Sequence, residues 1–417
     1  MATGKTDIWV YAHWFGMSNP KLVGILSAHQ AKGKKAFSFE YEPTWIQSKE
    51  QYLLDPDIGW HSGPQFAQSK DNFGVFLDSM PDRWGRMLMK RRAAQRARDA
   101  GNATPTLYDI DFLLGVQDES RMGALRFKLD PAGPFLDNNP STPIPPLSSV
   151  RELQYAADMV AADETDRDIS KWLSLLVTPG SSLGGARPKS NLVGEQGDLW
   201  IAKFPSKTDA TDHGAWEFLL YQLAVRAGIS MSVSKLLKVS GNYHTFLTKR
   251  FDRFQGERIH FASAMTMTGN SEESLKNHTP SYLELAEFIR FSGANIRDDL
   301  HQLWRRIVFN IAVSNTDDHL RNHGFLLSNA GWCLSPAYDL NPSTDKVGLS
   351  LNIDMDNNAL DFELAMSVGA FFELNQSEMK NILTQVKHAV KDWRVAAKNI
   401  GIPKREQDEM EAAFYSG

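Results

Sequence analysis

Asp317, Asn322 and Asp339 stand at spacings that suit phosphoryl transfer. The segment Asn315-Thr316-Asp317-Asp318-His319-Leu320-Arg321-Asn322 follows an apolar stretch, 303–313, that reads as a helix. Asp317 and Asn322 keep the Asp-x-x-x-x-Asn spacing of a kinase catalytic loop. An acceptor hydroxyl needs a carboxylate to orient it and take its proton, and Mg²⁺ needs hard oxygen ligands. Asp318 competes for the base, and the spacing to Asn322 favours Asp317. Apolar runs at 325–327 and 332–334 flank Ser328-Asn329-Ala330-Gly331, a hairpin turn signal. Such a hairpin brings its ends together. It would set Asp339, in Pro336-Ala337-Tyr338-Asp339, beside Asn322 as a second metal ligand. Loop-capping Asp and Asn residues are the plain alternative. A zinc site on His319 and His323 lacks the Glu of His-Glu-x-x-His.

A phosphate cradle should lie upstream. Ser181-Ser182-Leu183-Gly184-Gly185-Ala186-Arg187-Pro188-Lys189 is rich in Gly and Ser and precedes a strand. Glycines let backbone N–H groups approach a phosphate. The loop is not a Walker A sequence, and by itself it also reads as a simple turn. Lys203, in the apolar run Trp200-Ile201-Ala202-Lys203-Phe204, suits the strand lysine that neutralises ATP phosphates. The alternative is a lysine snorkelling at the surface. Glu217 on the following helix is its expected partner, with Asp209 and Asp212 as rivals. Lys249-Arg250-Phe251-Asp252-Arg253 falls where a nucleotide hinge belongs, with Phe251 at the nucleotide and Asp252 near the ribose, and reads equally as an ordinary charged strand end. His319 joins the nucleotide-contacting set.

Positioning these groups requires strands before the loop and helices around it. Residues 8–12, 22–26 and 37–41 read as short strands, and 82–99 as a helix rich in Arg. The basic face reads as a solvated surface, or as a contact for an acidic partner or RNA. Six prolines in 131–146 exclude a regular element and suggest a linker. Helices are expected at 150–160, 169–177 and 212–227, and strands at 190–193, 199–203, 236–239 and 245–247. From Tyr282 the chain reads as helical apart from the one hairpin. The expected fold is α+β: a β-rich N-terminal domain at 1–147, then a bilobal kinase-like domain with lobes at 148–253 and 254–417.

Composition agrees. The 417 residues carry a net charge of −5, unlike a general nucleic-acid binder. A single cysteine, Cys333, excludes an internal disulfide and suits a reducing compartment. Neither a signal peptide nor a run of ~18 apolar residues is present, so a cytoplasmic protein without a membrane span is expected.

Together these pieces resemble the HipA family of bacterial toxin kinases. The resemblance rests on Ser182-Leu-Gly-Gly-Ala-Arg-Pro-Lys189, Lys249-Arg-Phe-Asp-Arg253, Asn315-Thr-Asp-Asp-His-Leu-Arg-Asn322, Pro336-Ala-Tyr-Asp339 and, upstream, residues 76–86. It implies a serine/threonine kinase using ATP and Mg²⁺, with Asp317 as base, Asn322 and Asp339 as metal ligands and Lys203 on the phosphates. It implies a HipB-like helix-turn-helix antitoxin that carries the complex to operator DNA. It further implies an aminoacyl-tRNA synthetase target, as for glutamyl-tRNA synthetase, and autophosphorylation of Ser182, with Ser181 as the neighbouring alternative. Phosphate there would add about −2 charge to a loop that must cradle ATP. The hinge departs from familiar members in opening with Lys249 rather than Glu. Two other classes fit parts of the pattern: a small-molecule or lipid kinase, and a non-catalytic nucleotide-binding corepressor.

Overall fold

The computed structural model describes residues 4–31, 34–48, 52–68, 70–138, 143–162, 169–177 and 185–414. It is a mixed α and β structure, and its compact parts divide the chain into two units. The first is Met1–Ala202 with Asp252–Ser271, and the second is Lys203–Phe251 with Glu272–Gly417. The divisions fall after Ala202, Phe251 and Ser271.

The first unit is built on a five-stranded antiparallel sheet ordered Gln65–Phe66, Lys34–Tyr41, Lys21–Ala31, Gly4–Ala12, Leu125–Lys128. Alternation puts Ile8, Val10 and Ala12 inward, where they are at most 1% exposed. Phe39, Phe73, Phe76 and Phe127 pack edge-on or tilted to close this core. Gly24 is dictated by close approach: a Cβ there would lie 2.2 Å from the carbonyl of Glu40.

The helix Arg83–Asp99 is capped by Asp82, which accepts from the Gly85 N–H. Its basic residues are not simply solvated. Arg86 bonds Pro81 and Asp109 and lies over the Phe112 ring, while Arg91 donates to the Val160 carbonyl. Part of the Pro-rich stretch is packed as well. Leu136 N–H donates to the Phe127 carbonyl, and the Phe135 ring meets Tyr11 and Arg126. Val193 N–H bonds the Pro145 carbonyl, so residues on both sides of 147 belong to one compact unit.

His260, stacked on Trp14 in this unit, carries a pH-dependent stability. Burial pushes its pKa from 6.5 down to about 3. The stability it confers is complete above pH 6.5 and is lost as pH falls toward about 3. At ~1.4 kcal/mol per unit this reaches about 5 kcal/mol. His260→Phe should therefore flatten the acid limb of the urea midpoint between pH 7 and 4; an unaltered slope would rule His260 out as its source.

The second unit is mainly helical. Its helices include His213–Arg226, Tyr282–Ser292, Ile296–Ala312, Gln376–Lys391 and Trp393–Ile400. Reciprocal caps start two of them, Ser281 with Glu284 and Asn375 with Glu378. Two hairpins complete it: Ser234–Leu237 with Thr245–Lys249, and Gly324–Ser328 with Gly331–Leu334. The second hairpin forms as expected, with Ser328 opposite Gly331. The chain after it corrects the all-helical expectation. Residues 335–361 hold no helix, because Pro336 and Pro342 interrupt it and Asp354 and Asn357 side chains take local backbone N–H groups. Among the described residues no helix is long and apolar enough to cross a membrane.

Candidate active site

Lys203 ends the strand Leu199–Lys203, and its ammonium is gripped by two carboxylates. Nζ lies 2.6 Å from Glu217 Oε1 and 2.5 Å from Asp339 Oδ1. Burial alone would depress the lysine, but Asp339 and Glu217 outweigh it and raise its pKa above the ordinary value. Lys203 is therefore a fixed cation at neutral pH. Its strand surroundings are apolar, so a charge here is stable only because it is paired.

The structure decides between the rival acids on the helix. Asp212 caps His213–Arg226 and bonds His244 Nδ1 at 2.5 Å, while Asp209 accepts from Ser206 N–H. Glu217, one turn further on, is the residue that reaches Lys203. Gly214 lets this helix start close to the residue that opens the strand Thr245–Lys249: a Cβ there would sit 2.3 Å from the His244 carbonyl.

The loop 315–322 leaves the apolar helix Ile296–Ala312 through Ser314, whose φ is +46°. Asp317 is the one exposed residue between Ile311 and Phe325. Its carboxylate is 72% exposed and lies 3.3 Å from Lys346 Nζ. Its neighbour Asp318 is 2% exposed and engaged with His323 at 2.8 Å. Burial thus separates the two aspartates, leaving Asp317 toward solvent and Asp318 among buried partners.

Asn322 donates from Nδ2 to the Asp317 carbonyl at 3.0 Å, which fixes its side chain across the loop. Its Oδ1 is buried with no hydrogen-bond partner among the described residues, as are Thr316 Oγ1 and His319 Nδ1. A buried carboxamide oxygen left free suits a hard cation. No group of three His, Cys, Asp or Glu forms a ready cage among the described residues.

Asp339 has φ +59°, a left-handed conformation that costs a non-glycine residue about 1–3 kcal/mol. The segment is pinned on both sides. Ala337 N–H donates to the Ser230 carbonyl, and Ser343 N–H donates to the Ser314 carbonyl. Tyr338 Oη donates to the Arg321 carbonyl at 2.8 Å, tying this segment to the loop of Asp317 and Asn322. The Tyr338 ring also lies 5.5 Å from Phe251.

Three further expected residues, Asp252, Lys189 and Gly185, belong to the first unit. Asp252 is 0% exposed, accepts from Gly123 N–H and pairs with Arg253. Lys189, in the same unit, is held 2.8 Å from Asp82 and its carbonyl accepts from Trp84 Nε1. Gly185 has φ +87° beside Lys189, as a tight loop requires. Ser181, Ser182 and Gly184 lie outside the described residues. Tyr282, Asn310, Asn315 and Tyr338 were missed from sequence. The polar Asn310 inside an apolar helix was the available signal.

The family described as HipA-like C-terminal domain matches residues 181–393, a little over half the chain, and that stretch contains the loop, Lys203, Glu217 and Asp339. The chain belongs to this family. Over 178 residues it is 28% identical to "Putative kinase Y4mE" of Sinorhizobium fredii, aligning 38% of this chain with 41% of that protein. The alignment thus spans less than half the length of that relative. The fold is similar to a chain of the Shewanella oneidensis MR-1 complex of HipA, HipB and operator DNA, with TM-score 0.67 and 18% identity. That likeness covers 98% of this chain and 95% of the other, and it is one of fold.

Proposed function

We propose that this chain is a cytoplasmic Mg²⁺- and ATP-dependent serine/threonine protein kinase acting as the toxin of a toxin–antitoxin pair. One observation carries the catalytic part: Lys203 paired with both Glu217 and Asp339. A kinase lysine must stay charged to meet phosphate, and a helix glutamate and a metal-binding aspartate are the groups that hold it.

Bound Mg²⁺·ATP would supply the transferable phosphoryl group and the divalent charge that neutralises its oxygens. Asn322 and Asp339 are the residues to hold the ion, and Lys203 the one to meet the phosphates. His319 and Phe251 would complete the nucleotide contacts. Asp317, exposed and unburdened by buried partners, would orient an acceptor hydroxyl and take its proton. Gly185 and Lys189 belong to the loop that would cover the phosphates, and Ser182 within that loop would be its own acceptor.

The partner reading draws on the Shewanella complex, in which HipA is found with HipB and operator DNA. A HipB-like helix-turn-helix antitoxin is proposed for this chain, with DNA reached through it. The proposed target is an aminoacyl-tRNA synthetase, glutamyl-tRNA synthetase being the first to try.

Purified protein with labelled ATP and Mg²⁺ should place phosphate on serine or threonine of itself or of a synthetase, and EDTA should abolish the label. Label appearing only in a metabolite or lipid would favour a small-molecule kinase. No transfer to any acceptor, with operator binding through the antitoxin retained, would favour the corepressor.

A further inference from the structure

Resting on the kinase reading, we propose that Asp318 is a positioning residue, whose buried carboxylate holds the loop so that Asp317 faces outward and ties that loop to the segment behind Asp339. Adjacent residues in an irregular loop have no inherent reason to differ so sharply in exposure, 72% for Asp317 against 2% for Asp318. The difference follows from what Asp318 gathers.

Its Oδ2 accepts from Tyr282 Oη at 2.5 Å and Asn310 Nδ2 at 2.7 Å, and lies 2.8 Å from His323 Nε2. The three groups come from different elements: the start of Tyr282–Ser292, the last turns of Ile296–Ala312, and the residue after the turn Leu320–Asn322. One carboxylate therefore fixes the loop to two helices and closes its far end. Arg306, also buried beneath it, donates from Nη2 to the Ser335 carbonyl at 2.5 Å. Asp318 is the strongest charge favouring that guanidinium against its burial.

The network then runs on. Asn310 Oδ1 accepts from Asn315 Nδ2 at 3.0 Å, and Asn315 Oδ1 accepts from Asn341 N–H at 3.2 Å. Asn341 lies two residues beyond Asp339. A continuous path, buried as far as Asn315 and half-buried at Asn341, thus joins the loop of the proposed base to the segment of the proposed metal ligand. The members are low-exposure groups bonded to one another, an arrangement that restricts each to one geometry. Phosphoryl transfer depends on such alignment, since a displacement of about 1 Å can cost ~100-fold in rate.

Asp318→Asn keeps the volume and one acceptor; Tyr282→Phe keeps the carboxylate and removes one donor. Both should lower single-turnover transfer per folded molecule, by about 10–100-fold for Asp318→Asn and less for Tyr282→Phe. The KM for ATP should stay within about twofold, because neither side chain holds nucleotide. Amide hydrogen exchange, which needs no activity, should quicken at 315–323 and 339–343 in both variants and stay unchanged in His213–Arg226. A lowered unfolding midpoint with an unchanged rate per folded molecule, or exchange that does not rise in both segments, would overturn the proposal. Absence of transfer by the unaltered protein would instead sink the kinase reading, while the exchange measurement still decides the tie.

Discussion

Asp317→Asn should abolish phosphoryl transfer while leaving the protein folded and able to bind nucleotide. Positioned proton transfer contributes ~10²–10⁴-fold, and the loss should fall on kcat. The protein should tolerate the change because the side chain is 72% exposed and its only described ion pair is with the half-exposed Lys346. Exposed pairs of this kind contribute about 0–1 kcal/mol. The check is single-turnover transfer beside Mg²⁺·ADP affinity and the thermal midpoint. Transfer within tenfold of the unaltered protein would remove Asp317 as the base. It would not promote Asp318, whose carboxylate is already committed to Tyr282, Asn310 and His323.

Lys203→Met should lose both nucleotide binding and stability. Removing the ammonium leaves the Glu217 and Asp339 carboxylates facing one another without their shared cation. Stripping one partner from a buried pair costs about 3–5 kcal/mol. Lys203 and Glu217 side chains are 9% and 8% exposed, so the full range applies to that pair, while Asp339 at 25% is partly relieved by water. Lys203→Met with Glu217→Gln should recover much of the stability and none of the nucleotide affinity, which separates folding from binding. Denaturant unfolding and calorimetry read the two effects. Asp339→Ala, by contrast, should remove the Mg²⁺ dependence of nucleotide binding. Undiminished Mg²⁺-dependent binding in that variant would move the metal site elsewhere.

The linear order of chemical groups was legible because kinase-type loops depend on local spacing. Asp317 to Asn322 is one loop, and the hairpin that follows is announced by Ser328 to Gly331, whose pairing the structure shows. Lys203 stood out for the same reason, as a charge within an apolar strand. The helices expected at 82–99 and 212–227 start where Asp82 and Asp212 cap them, since a cap acts within three residues of itself.

What sequence alone determined, then, was which residues could do chemistry and in what order they arrive. Tertiary structure decided which of them meet. Choosing Glu217 over Asp209 and Asp212 required the direction of a helix face toward Lys203. That Asp318 is buried while Asp317 is exposed required the donors Tyr282 and Asn310, which lie 36 and 8 residues away in the chain. Asp252 and Lys189 found their own partners, Gly123 with Arg253 and Asp82, across more than a hundred residues in two of those pairings. Spacing sets only what neighbouring residues can do. Burial and hydrogen bonding are conferred by whatever the folded chain brings alongside, and for a charged group that company decides whether it is structural or free to react.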